Sequence, residues 1–289
     1  MRCLISFPGK FGDALWCLPV IRALSRRIGL PVDLLIGRDI GSIAPLFRAQ
    51  PYLGQVLIGE DWFPTDTDPV NQRRPPPTHK YDTLYDGYDH VFHCGFRGWP
   101  QRALPFETLD TFNGHKQDLI DPLLDSELDL GTPWVTVTGF TEYGRPDIAV
   151  GFSDDHFELK YGLSRLVLHG QRLGSARVIG SSSRWHTEAL EAPKSWDQSA
   201  GILHASKVFL GCNSGLHVLA CAIGKPVVMM EPSEARWNPI FFPLGTTGSQ
   251  VTLVLGNDGK PTWDARHVAD TLQRVLTSTP VRTDQERLS

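Results

Sequence analysis

Short apolar runs alternate with longer segments of helical spacing along most of the chain. Residues 3–7 (Cys-Leu-Ile-Ser-Phe) form an apolar run that reads as a buried strand. Residues 8–13 carry Pro8, Gly9 and Gly12 and read as a turn. From 14 to 28, apolar residues recur at Leu15, Leu18, Ile21, Ala23, Leu24 and Ile28, which predicts a helix closed by Gly29. Strands are expected over 32–36 and 56–58, with a short helix over 42–48 between them. Because the strands are continuous apolar runs, not strict alternations, they predict a parallel sheet covered on both faces.

The rhythm breaks over 61–88, where Arg73 and Arg74 precede three prolines, Pro75, Pro76 and Pro77. Such a stretch is neither helix nor central strand. A long irregular segment of this kind is more often functional than filler. Residues 88–96 read as a further strand, and 97–130 show a weak helical pattern around 112–124. A second alternating set follows. Strands are expected over 148–152, 176–179, 208–210, 226–230 and 251–255. Helices are expected over 159–173, 195–205, 215–223 and 265–276, the second capped by Ser195 or Asp197. The tail, 277–289, reads as frayed. Two α/β units joined near 131–147 predict two Rossmann-like domains, 1–140 and 141–289, facing each other across a cleft.

Composition adds boundaries. The 289 residues are 41% hydrophobic and 21% charged, ordinary for a globular protein. A net charge of −4 supplies no global basic field for nucleic acid or acidic lipid. The five cysteines are scattered with no CxxC pair, as expected of small buried hydrophobes in a reducing compartment. The start of the chain runs directly into a strand without the apolar core of a signal peptide. No apolar run approaches the ~20 residues that cross a bilayer. The expectation is a cytoplasmic protein without membrane insertion.

Two strand-turn-helix junctions carry the candidate chemistry. The first contains Gly9, Lys10, Gly12 and Asp13 after the opening strand. Open α/β sheets bind ligands at that edge, where helix N-termini offer free N–H groups and a positive dipole end. The glycines permit a tight turn or a close backbone approach. From the local sequence alone, Asp13 reads as a helix cap ahead of a carboxylate facing the cleft. Neither a Walker loop nor a dinucleotide fingerprint is present. The second junction delivers Asn213, Ser214 and Gly215 to the first turn of a helix containing Leu216 and His217. Its backbone N–H groups and the Ser214 hydroxyl suit a diphosphate, and a cap by Asn213 or Ser214 suits them as well.

Taken together, these junctions resemble a known family. The run Gly12-Asp13-Ala14-Leu15 through Pro19, then Leu24 and the strand Val32-Asp33-Leu34-Leu35, is similar to the opening of the heptosyltransferase-like family, glycosyltransferase family nine. Residues 205–216, followed by Ala220, Ala222, Gly224, Pro226 and Val227, resemble that family's second conserved block. The likeness covers roughly 1–40 and 195–240. It implies a GT-B fold, a nucleotide-sugar donor held mainly by the C-terminal domain and an acceptor held by the N-terminal one. It also implies inversion at the anomeric carbon with no metal or other cofactor. Asp13 would then be the general base, and Ser214, Gly215 and Leu216 would contact the donor phosphates.

The chain departs from the family: it is short, and the family's lysine-bearing strand-turn after the linker is not evident. The family's histidine three residues after the motif glycine is Val218 here, with His217 one position earlier. Asn213 stands where the family usually has aspartate. Ser181 and Ser182, after the 176–179 strand, are further candidates for donor contact. So are Glu234 for ribose hydroxyls and Arg236 for phosphate. Arg73, Arg74, His79 and Lys80 read either as a solvated loop or as contacts to an anionic acceptor. The donor base stays open among ADP-, UDP-, GDP- and dTDP-sugars. The acceptor stays open among a glycan, a small molecule and a modified DNA base. A nucleotide-sugar epimerase or hydrolase and a noncatalytic nucleotide-sugar-binding protein are the competing functions.

Overall fold

The computed structural model describes residues 1–7, 11–59, 86–96, 107–112, 132–138, 146–151, 174–179, 195–211, 214–232, 248–255, 261–262 and 265–278. They form two sheets. The first holds β1 (Cys3–Phe7), β2 (Val32–Gly37), β3 (Leu53–Gly59), β4 (His90–Phe96) and β5 (Glu107–Phe112), all parallel, in the order β3-β2-β1-β4-β5. The chain lays strands outward from β1 on one side and then crosses to the other at β4. The topological switch point therefore lies between β1 and β4, where open sheets place their ligands.

The second sheet holds β6 (Ile148–Gly151), β7 (Ala176–Ile179), β8 (Val208–Gly211), β9 (Val227–Pro232), β10 (Gly248–Leu255) and β11 (Pro261–Thr262), in the order β11-β10-β9-β8-β6-β7. All pairs are parallel except the short antiparallel pair of β10 with β11. Its switch point lies between β6 and β8. Two parallel sheets with helices are the GT-B architecture expected from the sequence.

Most elements lie where periodicity placed them, and the differences have local causes. Helix α1 (Phe11–Ile28) starts three residues before the expected 14, so residues 11–13 of the turn expected over 8–13 belong to the helix. The short helix is α2 (Ala44–Arg48), entered through a 3₁₀ turn over Arg38–Ile43. Strand β5 falls in the segment that showed a weak helical pattern. It lies at the sheet edge, where β-branched Thr108 and Thr111 serve as well as an apolar run. The rest of that pattern, from 113, lies outside the described residues, as do residues 60–85, the helix expected over 159–173 and the tail from 279.

The remaining helices are α3 (Trp196–Ala205), α4 (Gly215–Ile223) and α5 (Ala265–Ser278). Ser195 caps α3, its Oγ accepting from the Gln198 amide at 3.2 Å. Ser214 caps α4, its Oγ accepting from the His217 amide at 3.3 Å. Gly224 ends α4 with φ at 79°, a left-handed turn that glycine adopts without penalty. Every residue of α4 from Leu216 to Ile223 is buried, as an all-round apolar helix requires. It packs against α1, joining the two sheets' cores into one.

Residues 132–138, expected to be a simple linker, are instead a strap between these two helices. Pro19 lies inside α1 and has no N–H to give the carbonyl of Leu15 one turn earlier. The indole Nε1 of Trp134 donates to that carbonyl at 3.1 Å, and the Trp134 ring stacks on Trp16 with centroids 5.7 Å apart. The Trp134 and Val135 amides donate to the Ala222 carbonyl near the end of α4, at 2.9 and 3.0 Å. Both helices thus have an orphaned carbonyl satisfied by the strap. Arg22 donates to the Pro133 carbonyl at 2.8 Å, and Gln50 and Thr136 exchange bonds of 3.0 and 2.8 Å. The Tyr52 hydroxyl donates to the Trp134 carbonyl, and burial pushes that phenol's pKa far up, keeping it a donor.

Trp134→Phe keeps the aromatic packing and deletes one buried donor. It should cost about 1–3 kcal/mol by urea denaturation. In a Pro19→Ala background, residue 19 regains the amide that reaches Leu15, and the same change should cost about 1 kcal/mol less. Equal costs in both backgrounds would show that the indole does not compensate for the proline.

Candidate functional site

Both glycine-bearing junctions leave strands that flank a switch point. β1 leads into α1, and β8 leads into α4. These two helices, one from each half, begin against each other. A Cβ placed on Gly12 would stand 3.4 Å from the Gly215 Cα and 3.5 Å from Val218 Cγ2. One placed on Gly215 would stand 2.9 Å from Trp196 Cη2, 3.2 Å from Phe11 Cβ and 3.4 Å from the Gly12 amide nitrogen. Among the described residues the positive-φ glycines are Gly29 and Gly224, so at 12 and 215 the requirement is space, not backbone conformation.

The first turn of a helix carries N–H groups without intrahelical partners and the positive end of the dipole. Two such turns brought together from opposite halves favour an anion near both. No acidic residue occupies the first turn of α4 to offset that charge. The Ser214 Oγ is used as an acceptor by its own helix, which leaves its proton to donate outward.

Asp13 is the third residue of α1, inside the first turn and past the cap position that one reading gave it. Its carboxylate lies outside the described part of the structure. Ser214, Gly215 and Leu216 form the start of α4, with Leu216 buried. His217 is fully buried, its Nε2 3.5 Å from Cys221 Sγ one turn along the helix. Val218, which stands where the resembled family has histidine, is buried beside Gly12 of α1. That side of α4 is therefore a packing surface in this chain. Gly9, Lys10, Asn213, Ser181, Ser182, Glu234 and Arg236 lie outside the described residues, as do Arg73, Arg74, His79 and Lys80.

The sequence reading missed the two aromatic rings at this junction. Phe11, from α1, and Trp196, from α3, lie with ring centroids 4.7 Å apart and planes tilted by 30°. Both are half-buried against the shared core. The available signal was a tryptophan directly after the Ser195 cap, a place where a helix facing only water would carry a polar residue. Among the described residues, no three His, Cys, Asp or Glu side chains gather as a metal-ion cluster. No helix among them is long and apolar enough to cross a membrane.

No protein-family model matches the chain. No curated protein sequence matches it either. Solved structures do share its shape. The glycosyl transferase family 9 protein of Veillonella parvula superposes with a TM-score of 0.68 at 12% identity, over 96% of this chain and 97% of that one. The ADP-heptose lipopolysaccharide heptosyltransferase II of E. coli gives 0.66 at 16% identity, over 96% and 99%. TibC of enterotoxigenic E. coli, a dodecameric iron-containing heptosyltransferase solved with ADP-D-β-D-heptose, gives 0.52 at 17% identity, over 95% and 76%. At these identities the likeness is one of fold. The chain has the GT-B fold of glycosyltransferases, and its similarity to the heptosyltransferases runs through nearly its whole length.

The close approach predicts a steep cost at one glycine and a small one at the other. Gly215→Ala should destabilise the protein by about 1–3 kcal/mol, since ring, β-carbon and backbone all stand in the way. Gly12→Ala meets its neighbours near ordinary contact distance and should cost less. Midpoints from urea unfolding decide this, and equal costs at the two positions would contradict the geometry.

Proposed function

We propose that this protein is a glycosyltransferase that moves a sugar from a nucleotide-sugar donor to an acceptor hydroxyl, with inversion and without a metal ion. The observation that carries the reading is the meeting of the first turns of α1 and α4, one from each sheet, beside both switch points. The fold likeness to heptosyltransferases supports the same class.

In this reading residues 141–289 bind the donor and residues 1–140 the acceptor. The α4 first turn holds the diphosphate through the amides of Gly215 and Leu216 and the outward proton of Ser214. Asn213, Ser181, Ser182, Glu234 and Arg236 complete the donor side, and His217 supports the same turn through its amide, which donates to Ser214 Oγ. Gly9, Lys10 and Gly12 shape the acceptor side. Asp13 takes the proton from the acceptor hydroxyl as that oxygen attacks the anomeric carbon. The attack comes from the face opposite the departing diphosphate, so configuration inverts. Charge developing on the diphosphate is met by preorganised helix N–H groups, the role a metal ion fills elsewhere. The acceptor is a glycan, a small molecule or a modified nucleic-acid base, and the reaction takes place in the cytoplasm. Two of the fold neighbours are heptosyltransferases named for or solved with ADP-heptose, which makes ADP the first nucleotide to try.

A thermal-shift screen against ADP, UDP, GDP, CDP, dTDP and their sugars should give one clear responder. A ligand at ~100 times its dissociation constant stabilises by ~2.7 kcal/mol. Asp13→Asn should then lower transfer by ~10²-fold or more while leaving nucleotide affinity within a few-fold. Near-normal transfer by that variant would return Asp13 to a helix-terminus role.

A further inference from the structure

Trp196 is the first residue of α3, and Ser195 fixes its place by capping that helix. Its ring reaches across to the other half of the molecule. On one side it meets Phe11, the first residue of α1. On another, its Cη2 fills the space left by the missing side chain of Gly215, the first residue of α4. The same space takes Phe11 Cβ and the Gly12 amide. Three helix starts therefore converge on one tryptophan. Helix α3 is itself anchored on both halves, packing on α4 and touching α2 and the 3₁₀ turn over Arg38–Ile43.

We propose that Trp196 is a positioning residue: acting through Phe11, it sets the first turn of α1, and so Asp13, against the first turn of α4. The physical reason is that α1 is buried from Ala14 to Leu24, while Phe11 and Gly12 ahead of that stretch are only half-buried. Its first amides make no intrahelical bonds, and a helix end frays where side-chain packing does not hold it. Pro19 adds a missing bond in the middle of the same helix, and the strap reaches α1 at Leu15, Trp16 and Arg22. Ahead of Ala14, the contacts at the helix start are Phe11 with Trp196 and Gly12 with Gly215 and Val218. Its catalytic consequence rests on the glycosyl-transfer reading, because a base misplaced by about 1 Å loses up to ~10²-fold in rate.

Two readouts on three variants test this. Hydrogen exchange is measured on Trp196→Leu, Trp196→Phe and Phe11→Leu, following the amides of residues 15–18, which close the first turn of α1. Exchange there should rise about 10-fold or more in Trp196→Leu and Phe11→Leu and stay near wild type in Trp196→Phe, with the α5 amides unchanged in all. Unchanged exchange at 15–18 in Trp196→Leu overturns the proposal, whatever the activity. A rise in every helix alike also overturns it, by showing general destabilisation. With the nucleotide sugar that the wild type turns over, Trp196→Leu should lower kcat ~10- to 100-fold with the nucleotide dissociation constant within about 3-fold, and Trp196→Phe should restore most of the rate. A loss carried by affinity instead of kcat would overturn the positioning role. A wild-type chain that turns over no nucleotide sugar would sink the functional reading, while the exchange result would still decide the contact.

Discussion

The structure depends on one close contact, the backbone-to-backbone approach of α1 and α4 at Gly12 and Gly215. Each helix leaves the carboxyl edge of a different sheet. Any side chain at 215 would have to occupy the space now held by Trp196, Phe11 and the Gly12 amide. The contact brings two helix N-termini together and so concentrates unpaired N–H groups and positive dipole at one place. Like dipole ends repel, so packing has to hold them there. The apolar all-round surface of α4 and the aromatic pair provide that packing.

The strap of residues 132–138 completes the arrangement from behind. A proline in the middle of α1 and the end of α4 each expose a carbonyl, and one short segment satisfies both. A buried tryptophan with a donor is well suited to the task, since its ring fills volume while its N–H finds a partner. The two halves are therefore joined by a hydrogen-bonded seam as well as by apolar contact.

Much of this was legible in the sequence. Continuous apolar runs announced parallel strands, and strands over 3–7 and 176–179 and a helix over 215–223 stand where the pattern put them. The caps at Ser195 and Ser214 were readable because a serine before an apolar helical run has a specific job. The family resemblance supplied the fold that the superpositions bear out. What was not legible depended on contacts between distant parts of the chain. Trp134 in a Pro-Trp-Val stretch looks like linker until its partner, a carbonyl orphaned 119 positions away, is in place. Phe11 and Trp196 each read as ordinary apolar residues, and only their meeting makes a junction. Strand β5 was missed because its polar, threonine-bearing run lacks the signal of a central strand.

In the glycosyl-transfer reading, the meeting of α1 and α4 serves transfer of a sugar from a nucleotide. The most direct test follows nucleoside diphosphate released from a panel of nucleotide sugars, with and without acceptor pools of glycans, small hydroxylated molecules and modified DNA. One donor should be consumed, release should depend on an acceptor, and the product should have inverted anomeric configuration. Acceptor-independent release would instead mark a hydrolase. No release from any donor, in a protein that still binds the nucleotide, would contradict transfer and leave a binding protein on a glycosyltransferase fold.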